Sequence, residues 1–192
     1  MGSDIFESYC GAIIATIAMA SAMGAHLLAP LGGDRSALMF LPLALVSAGL
    51  ICSVIGIALV KMFSAQSPEK ALRTGTIGAA VLFIIASYLV IDMTGVSLKV
   101  WGAVLTGTIG GIIIGLVTEY YTASTPVKKI AKAGETGPAT VMITGLAIGM
   151  ESVVIPILTL AGIILISTSL AGLYGVGIAA VGMLGTVGIT MA

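Results

Sequence analysis

The chain has 192 residues, of which 58% are hydrophobic and only 8% charged, and its formal net charge is zero. With a mean hydropathy of +1.20 against the about 25% charged residues of a soluble domain, it is excluded from the soluble globular class and reads as an integral membrane protein. The balanced charge leaves no basic footprint for nucleic acid, and the period-two alternation of an outer-membrane barrel is absent, so the expected fold class is all-α, a polytopic bundle of transmembrane helices.

Six apolar segments are predicted, at about 4–31, 37–62, 72–91, 98–121, 138–167 and 172–192, each near or above the ~20 residues that cross a bilayer. The first opens on Asp4 and Glu7, after which residues 8–33 hold no Asp, Glu, Lys or Arg. Asp4 and Glu7 are three residues apart, hence on one helical face. Carboxylates turned toward a membrane bundle are costly and mark ion or proton pathways. Two like charges this close do not both ionise in a dry site, so one keeps a proton or a cation sits between them. A solvated position among lipid headgroups is the alternative. Asp4, Ser8, Gly11, Ala15, Ala18 and Ala22 follow at steps of four and three, a narrow face that another helix can approach closely. His26 reads as a hydrogen-bonded, packed residue rather than a proton relay.

The second segment follows the polar turn Gly32-Gly33-Asp34-Arg35, and Asp92 and Lys99 bracket the next short outer loop as solvated charges. The fourth carries Ala103, Gly107, Gly111 and Gly115 four apart, then Glu119 beside Tyr120 and Tyr121, where aromatics anchor an interface. The fifth exceeds one span and is expected to tilt, protrude or kink, Pro156 being the kink site. Glu151 lies within it near mid-membrane; it needs protein or water around it and a partner or a proton, and a structural and a functional role both fit. The sixth carries Gly175, Ala179 and Gly182 as another seam. Cys10 and Cys52 lack metal-ligand spacing and read as small buried residues.

Lysine and arginine concentrate in alternate loops. Lys61, Lys70 and Arg73 stand against Glu69, and Lys128, Lys129 and Lys132 against Glu135. By the positive-inside rule the loops at 62–71 and 122–136 are cytoplasmic, which puts 32–36 and 92–97 outside. Asp4 opens a helix without a preceding cap, and residues 188–192 carry no C-cap signal or flanking charge; an internal piece of a larger protein, truncated at both ends, is the expectation. No P-loop, dinucleotide motif, nucleophile elbow or zinc pattern is present, so no soluble-enzyme signature is seen.

Six words of the sequence then carry a resemblance. Gly2-Ser3-Asp4-Ile5-Phe6-Glu7-Ser8-Tyr9, Thr118-Glu119-Tyr120-Tyr121-Thr122 and Pro126-Val127-Lys128-Lys129-Ile130-Ala131 are three of them. Thr136-Gly137-Pro138-Ala139-Thr140, Gly145-Leu146-Ala147-Ile148-Gly149-Met150-Glu151-Ser152 and Ala171-Gly172-Leu173-Tyr174-Gly175 complete the set. In order and spacing the chain resembles the membrane-bound inorganic pyrophosphatases. The resemblance implies a homodimer with about sixteen helices per subunit, coupling hydrolysis of inorganic diphosphate to sodium or proton translocation. It implies Mg2+ as cofactor, held by motifs outside this chain, and K+ and Na+ as further ions. It assigns Asp4 as the gate aspartate, Glu7 as the gate glutamate and Ser8 as the residue that follows it in sodium-pumping members. Gly11 stands where plant-type proton pumps keep a glutamate, so the resemblance favours potassium-stimulated sodium pumps. Val141 departs from the asparagine often found there. The implied location is the inner membrane of a prokaryotic cell, as a multi-pass protein, with the chain alone inactive. A secondary transporter or channel bundle is the competing reading, which an inverted repeat would favour; none is seen between the first three and last three segments. An inactive structural membrane piece is the third.

Overall fold

The computed structural model describes residues 2–62 and 68–191, and among these the only regular structure is helical. In chain order the helices are α1 (Gly2–Ala22), α2 (Ala25–Leu28) with a 3-10 turn at Ala29–Leu31, α3 (Arg35–Met62) and α4 (Pro68–Thr94). Then follow α5 (Leu98–Ala123), α6 (Thr125–Ala133), α7 (Pro138–Leu184) and α8 (Val187–Met191). Helices close their backbone hydrogen bonds internally, which a bilayer demands of lipid-exposed segments. Five of the described helical stretches are long and apolar enough to cross a membrane: Ser3–Ala22, Arg35–Lys61, Arg73–Thr94, Leu98–Ala133 and Pro138–Ile189. The chain is an integral membrane protein.

Several boundaries differ from the sequence expectation, each for a local reason. The first segment is not one helix to residue 31, because α1 stops at Ala22. Gly24 is a poor helix former, and the carbonyl of Met23 turns aside to accept a 2.7 Å hydrogen bond from the Arg35 guanidinium, which satisfies an orphan group of a helix end. The expected boundary between the fifth and sixth segments is a kink inside α7, at Ala171 (φ −139°, ψ 22°) and Gly172 (φ 61°, ψ −153°). A φ of that sign is cheap only for glycine. The stretch from 172 is itself not one continuous span, since it turns at Gly185 and Thr186 before α8. The loop at 122–136 holds the amphipathic α6, with Pro126 buried and Lys128, Lys129 and Lys132 exposed. Residues 63–67, half of the other loop at 62–71, lie outside the described residues; Lys70 and Arg73 belong to the start of α4.

The chain forms two compact units, Met1–Ile109 with Ile163–Ala192, and Gly110–Gly162. In the first, α3 packs along α4 and α1, and α8 touches α3 and α4. Its core includes Leu38, Leu41, Leu45, Phe83, Val100, Val104 and Ile178. Tyr174 is fully buried there, and its hydroxyl donates to the Leu38 carbonyl at 2.7 Å. Parts of the small-residue seams predicted on the fourth and sixth segments, Gly107 on one and Ala179 with Gly182 on the other, face each other. A Cβ on Gly107 would collide with the Ala179 carbonyl oxygen, and one on Gly182 would lie 2.8 Å from the Val104 oxygen. The Thr108 hydroxyl bridges the same seam, 2.9 Å from its own helix at Val104 O and 3.2 Å from Gly182 O. Such close approach replaces the hydrophobic drive that lipid cannot supply.

In the second unit the Thr136–Thr140 word builds the turn into α7. The two threonine hydroxyls lie 2.7 Å apart, and that of Thr140 donates to the Gly137 carbonyl at 2.7 Å. Pro138 takes the first helical position, where its missing N–H costs nothing. Gly115 belongs to this unit, and a Cβ placed on it would meet nothing within 4 Å. The two glycines of one predicted seam therefore separate in an assay. Gly107→Val should destabilise the purified protein by more than the about 1–3 kcal/mol of ordinary overpacking, because the obstacle is backbone. Gly115→Ala should be neutral or stabilising, since alanine is the better helix former. Thermal unfolding in detergent checks both, and equal midpoints for Gly107→Val and the parent would disprove the seam.

Candidate functional site

The site begins with how α1 is held. Thr16 and Ala20 are fully buried, and the Thr16 hydroxyl donates to the Ala12 carbonyl at 2.7 Å, so a polar group enters the core without an open donor. Opposite it stands Gly177 in the last limb of α7, 173–184. A Cβ there would lie 2.7 Å from Thr16 Oγ1 and 2.8 Å from Met19 Cε. The helix is thus seated on its Ala12, Thr16 and Ala20 side.

Asp4, Glu7 and Ser8 are all exposed, as are Gly11, Ala15, Ala18 and Ala22. The small-residue face read from the sequence is therefore not the seam in use among the described residues. The reason is Thr16, which lies off the face traced by the steps of four and three; once bonded to its own helix it packs like an apolar residue. Helical register brings Asp4, Glu7 and Ser8 onto one turn, with Cβ atoms about 5–6 Å apart for the three- and four-residue steps. Two carboxylates and a hydroxyl are hard oxygen donors, suited to hard cations or to holding a proton. Beside them, a Cβ on Gly11 would meet nothing within 4 Å, so that face offers room.

Glu151 belongs to the other unit, on the 138–170 limb of α7, and is exposed. Tyr121 OH donates to its Oε1 at 3.2 Å, longer than the roughly 2.5–3.0 Å of a strong O–H···O bond. The sequence placed Tyr121 as an interface anchor; its pairing with Glu151 across 30 residues has no signature in spacing. Tyr120 meets Tyr121 edge to face, with centroids 5.3 Å apart. Glu119 is half-buried, and His26 is exposed on α2, which replaces the expectation of a packed histidine. Cys52 is buried and Cys10 half-buried, both as free thiols. Among the described residues no three of His, Cys, Asp and Glu come together as a metal site. They do not fit a magnesium centre.

Comparison with known proteins agrees with the words read from the sequence. A family model described as inorganic H+ pyrophosphatase matches residues 1–192. The chain is 40% identical to a putative K(+)-stimulated pyrophosphate-energized sodium pump of Clostridium tetani (strain Massachusetts / E88). It is 38% identical to a protein of the same description from Bacteroides thetaiotaomicron, and 34% identical to the K(+)-insensitive pyrophosphate-energized proton pump of Methanosarcina mazei. Each match takes in the whole of this chain and 28% or 29% of the relative, so the chain spans less than a third of the length of the curated relatives it matches. With every residue inside the match, the Asp4, Glu7 and Ser8 turn included, the chain belongs to the inorganic H+ pyrophosphatase family.

Proposed function

We propose that this chain supplies the ion-gate part of a membrane pump that couples hydrolysis of inorganic diphosphate to movement of sodium, protons or both. The observation that carries the reading is the family match over residues 1–192, together with relatives named as pyrophosphate-energized pumps of either ion. Asp4, Glu7 and Ser8 form the gate. Their two carboxylates share one turn, and once water is excluded they hold one proton or one cation between them, since both cannot stay charged and bare. The Ser8 hydroxyl adds a third oxygen. Sodium is the favoured ion and potassium the activator, because the 40% and 38% relatives are named K(+)-stimulated sodium pumps while the proton pump is 34% identical. Glu151, held by Tyr121, is a second intramembrane acid.

The pump works as a homodimer in a prokaryotic inner membrane, with Mg2+ and diphosphate bound by residues outside this chain. Neutralising a diphosphate and activating its attacking water takes several carboxylates, magnesium ions and lysines in one place. The purified chain should therefore release no phosphate from magnesium diphosphate. Turnover by the chain, abolished by Asp4→Asn, would overturn that assignment.

The lysine-bearing loops face the cytoplasm. Cysteines placed at Met93 and Glu135, both exposed, report on it. A membrane-impermeant thiol reagent applied to intact cells should label Met93→Cys and spare Glu135→Cys; the opposite pattern would reverse the topology.

In the full-length protein Glu7 should govern ion coupling rather than diphosphate binding. A hydrogen bond or contact to a charged group is worth about 1.5–3 kcal/mol, so Glu7→Ala should raise the sodium concentration for half-maximal hydrolysis by about tenfold or more. Glu7→Asp should fall between. Hydrolysis beside ion uptake into vesicles separates the roles, and unchanged sodium dependence and transport in both variants would remove Glu7 from the gate.

A further inference from the structure

The larger unit contains a cavity of about 500 Å3 between the end of α1, the α2 turn and the kink of α7, within the roughly 300–1,000 Å3 of small-ligand sites. Its walls are mostly apolar, with Met19, Met23, Leu27, Leu31, Leu170 and Leu173 prominent. The charged residue in the lining is Lys99. Lys99 is exposed in the first turn of α5. Arg35 adjoins the cavity through its bond to the carbonyl of Met23, itself a lining residue. Asp34 and Asp92, the acids of the neighbouring turns, are exposed and not in the lining.

Lys99 and Arg35 stand in the first turns of α5 and α3, both candidate spans. Cationic side chains at span ends lie at the level of lipid headgroups. An apolar cavity is a poor host for water, and a cation at its mouth asks for an anion. One molecule of the surrounding bilayer answers both demands. We infer that the cavity holds an acyl chain of an anionic phospholipid whose phosphate is bound by Lys99, with Arg35 beside it. A zwitterionic lipid offers the same chain and phosphate, but its own cation would be set against Lys99 and Arg35. The charge at the mouth therefore selects anionic headgroups. The site involves the membrane and the larger unit, and it is independent of the pumping reading.

The test is native mass spectrometry of the purified chain in mild detergent, with phosphatidylglycerol and phosphatidylcholine added at equal concentration. The parent should retain one phosphatidylglycerol in preference to phosphatidylcholine. Lys99→Gln should weaken phosphatidylglycerol binding by about fivefold, the effect of one cation near an anionic headgroup, and leave phosphatidylcholine unchanged. Lys99→Arg should restore it. Ala22→Phe, which fills the cavity from the end of α1, should lower retention of both lipids. Equal retention of the two lipids by the parent, or a Lys99→Gln variant that binds like the parent, would overturn the proposal. So would loss of the bound lipid when the chain is extended to the length of its relatives, because a further protein segment would then occupy the cavity.

Discussion

The contact between Thr16 and Gly177 sets the rotation of α1, and the position of its acids follows. Gly177 has no side chain, and any Cβ there would enter the space of Thr16 and Met19. With Thr16 facing inward, helical geometry leaves little choice for the rest of α1. From Glu7 to Thr16 is nine residues, or two and a half turns at 3.6 residues per turn, which puts Glu7 on the opposite side. A hydroxyl is tolerable at this contact because it bonds the carbonyl of Ala12 on its own helix. The exposure of the acids at the head of α1 is thus a consequence of packing nine to twelve residues along the helix.

The kink at Gly172 gives the last limb of α7 its own direction, and two further contacts hold that limb. Tyr174, two residues beyond the kink, donates to Leu38 O in α3. Gly182 and Ala179 approach the backbone of α5. A net hydrogen bond is worth only about 0.5–1.5 kcal/mol, but a buried phenol left without its acceptor costs about 1–3 kcal/mol. In lipid, where apolar surface alone does not choose a partner, such a bond selects one arrangement of α3 and α7. The same limb carries Gly177, so its direction also determines where α1 is seated.

Much of this architecture was legible. Apolar length alone identified the helical class, and the glycine spacing on the fourth and sixth segments pointed to seams that meet where Gly107 approaches Ala179 and Gly182 approaches Val104. What remained hidden were pairings across helices. Periodicity on one helix says which residues share a face, but not which face is covered. For α1 the small-residue rule chose the face with Gly11 and Ala15, whereas Thr16 and Ala20 are buried. The helix end at Ala22 was also hidden, because an apolar run continues through residues 25–31 while Gly24 and the Arg35 bond to Met23 interrupt it. Lys99 is exposed, as read, but its place in the cavity lining arises only when the folded chain brings α1, α2 and the α7 kink together. The acids of the candidate gate stood out by charge, since few ionisable residues are present and each one in an apolar helix has to be accounted for, while the gate role came from the resemblance.

On the proposed reading, the exposed face of α1 combines two properties that lipid does not favour together. Carboxylates cannot remain ionised against hydrocarbon, and a row of small residues gives acyl chains little surface to pack on. Both properties suit a neighbouring helix that comes close and carries a compensating charge or ion. Gly11 lies one turn beyond Glu7, and no atom would obstruct a Cβ there, so this is where a partner backbone could come nearest to the acids. Close approach excludes water, and exclusion of water strengthens the competition between the two like charges. Movement of such a helix by a few ångströms would alter that competition directly. It would make the pair bind a cation when closed and release it when hydrated, which links the small residues and the acids as parts of one device.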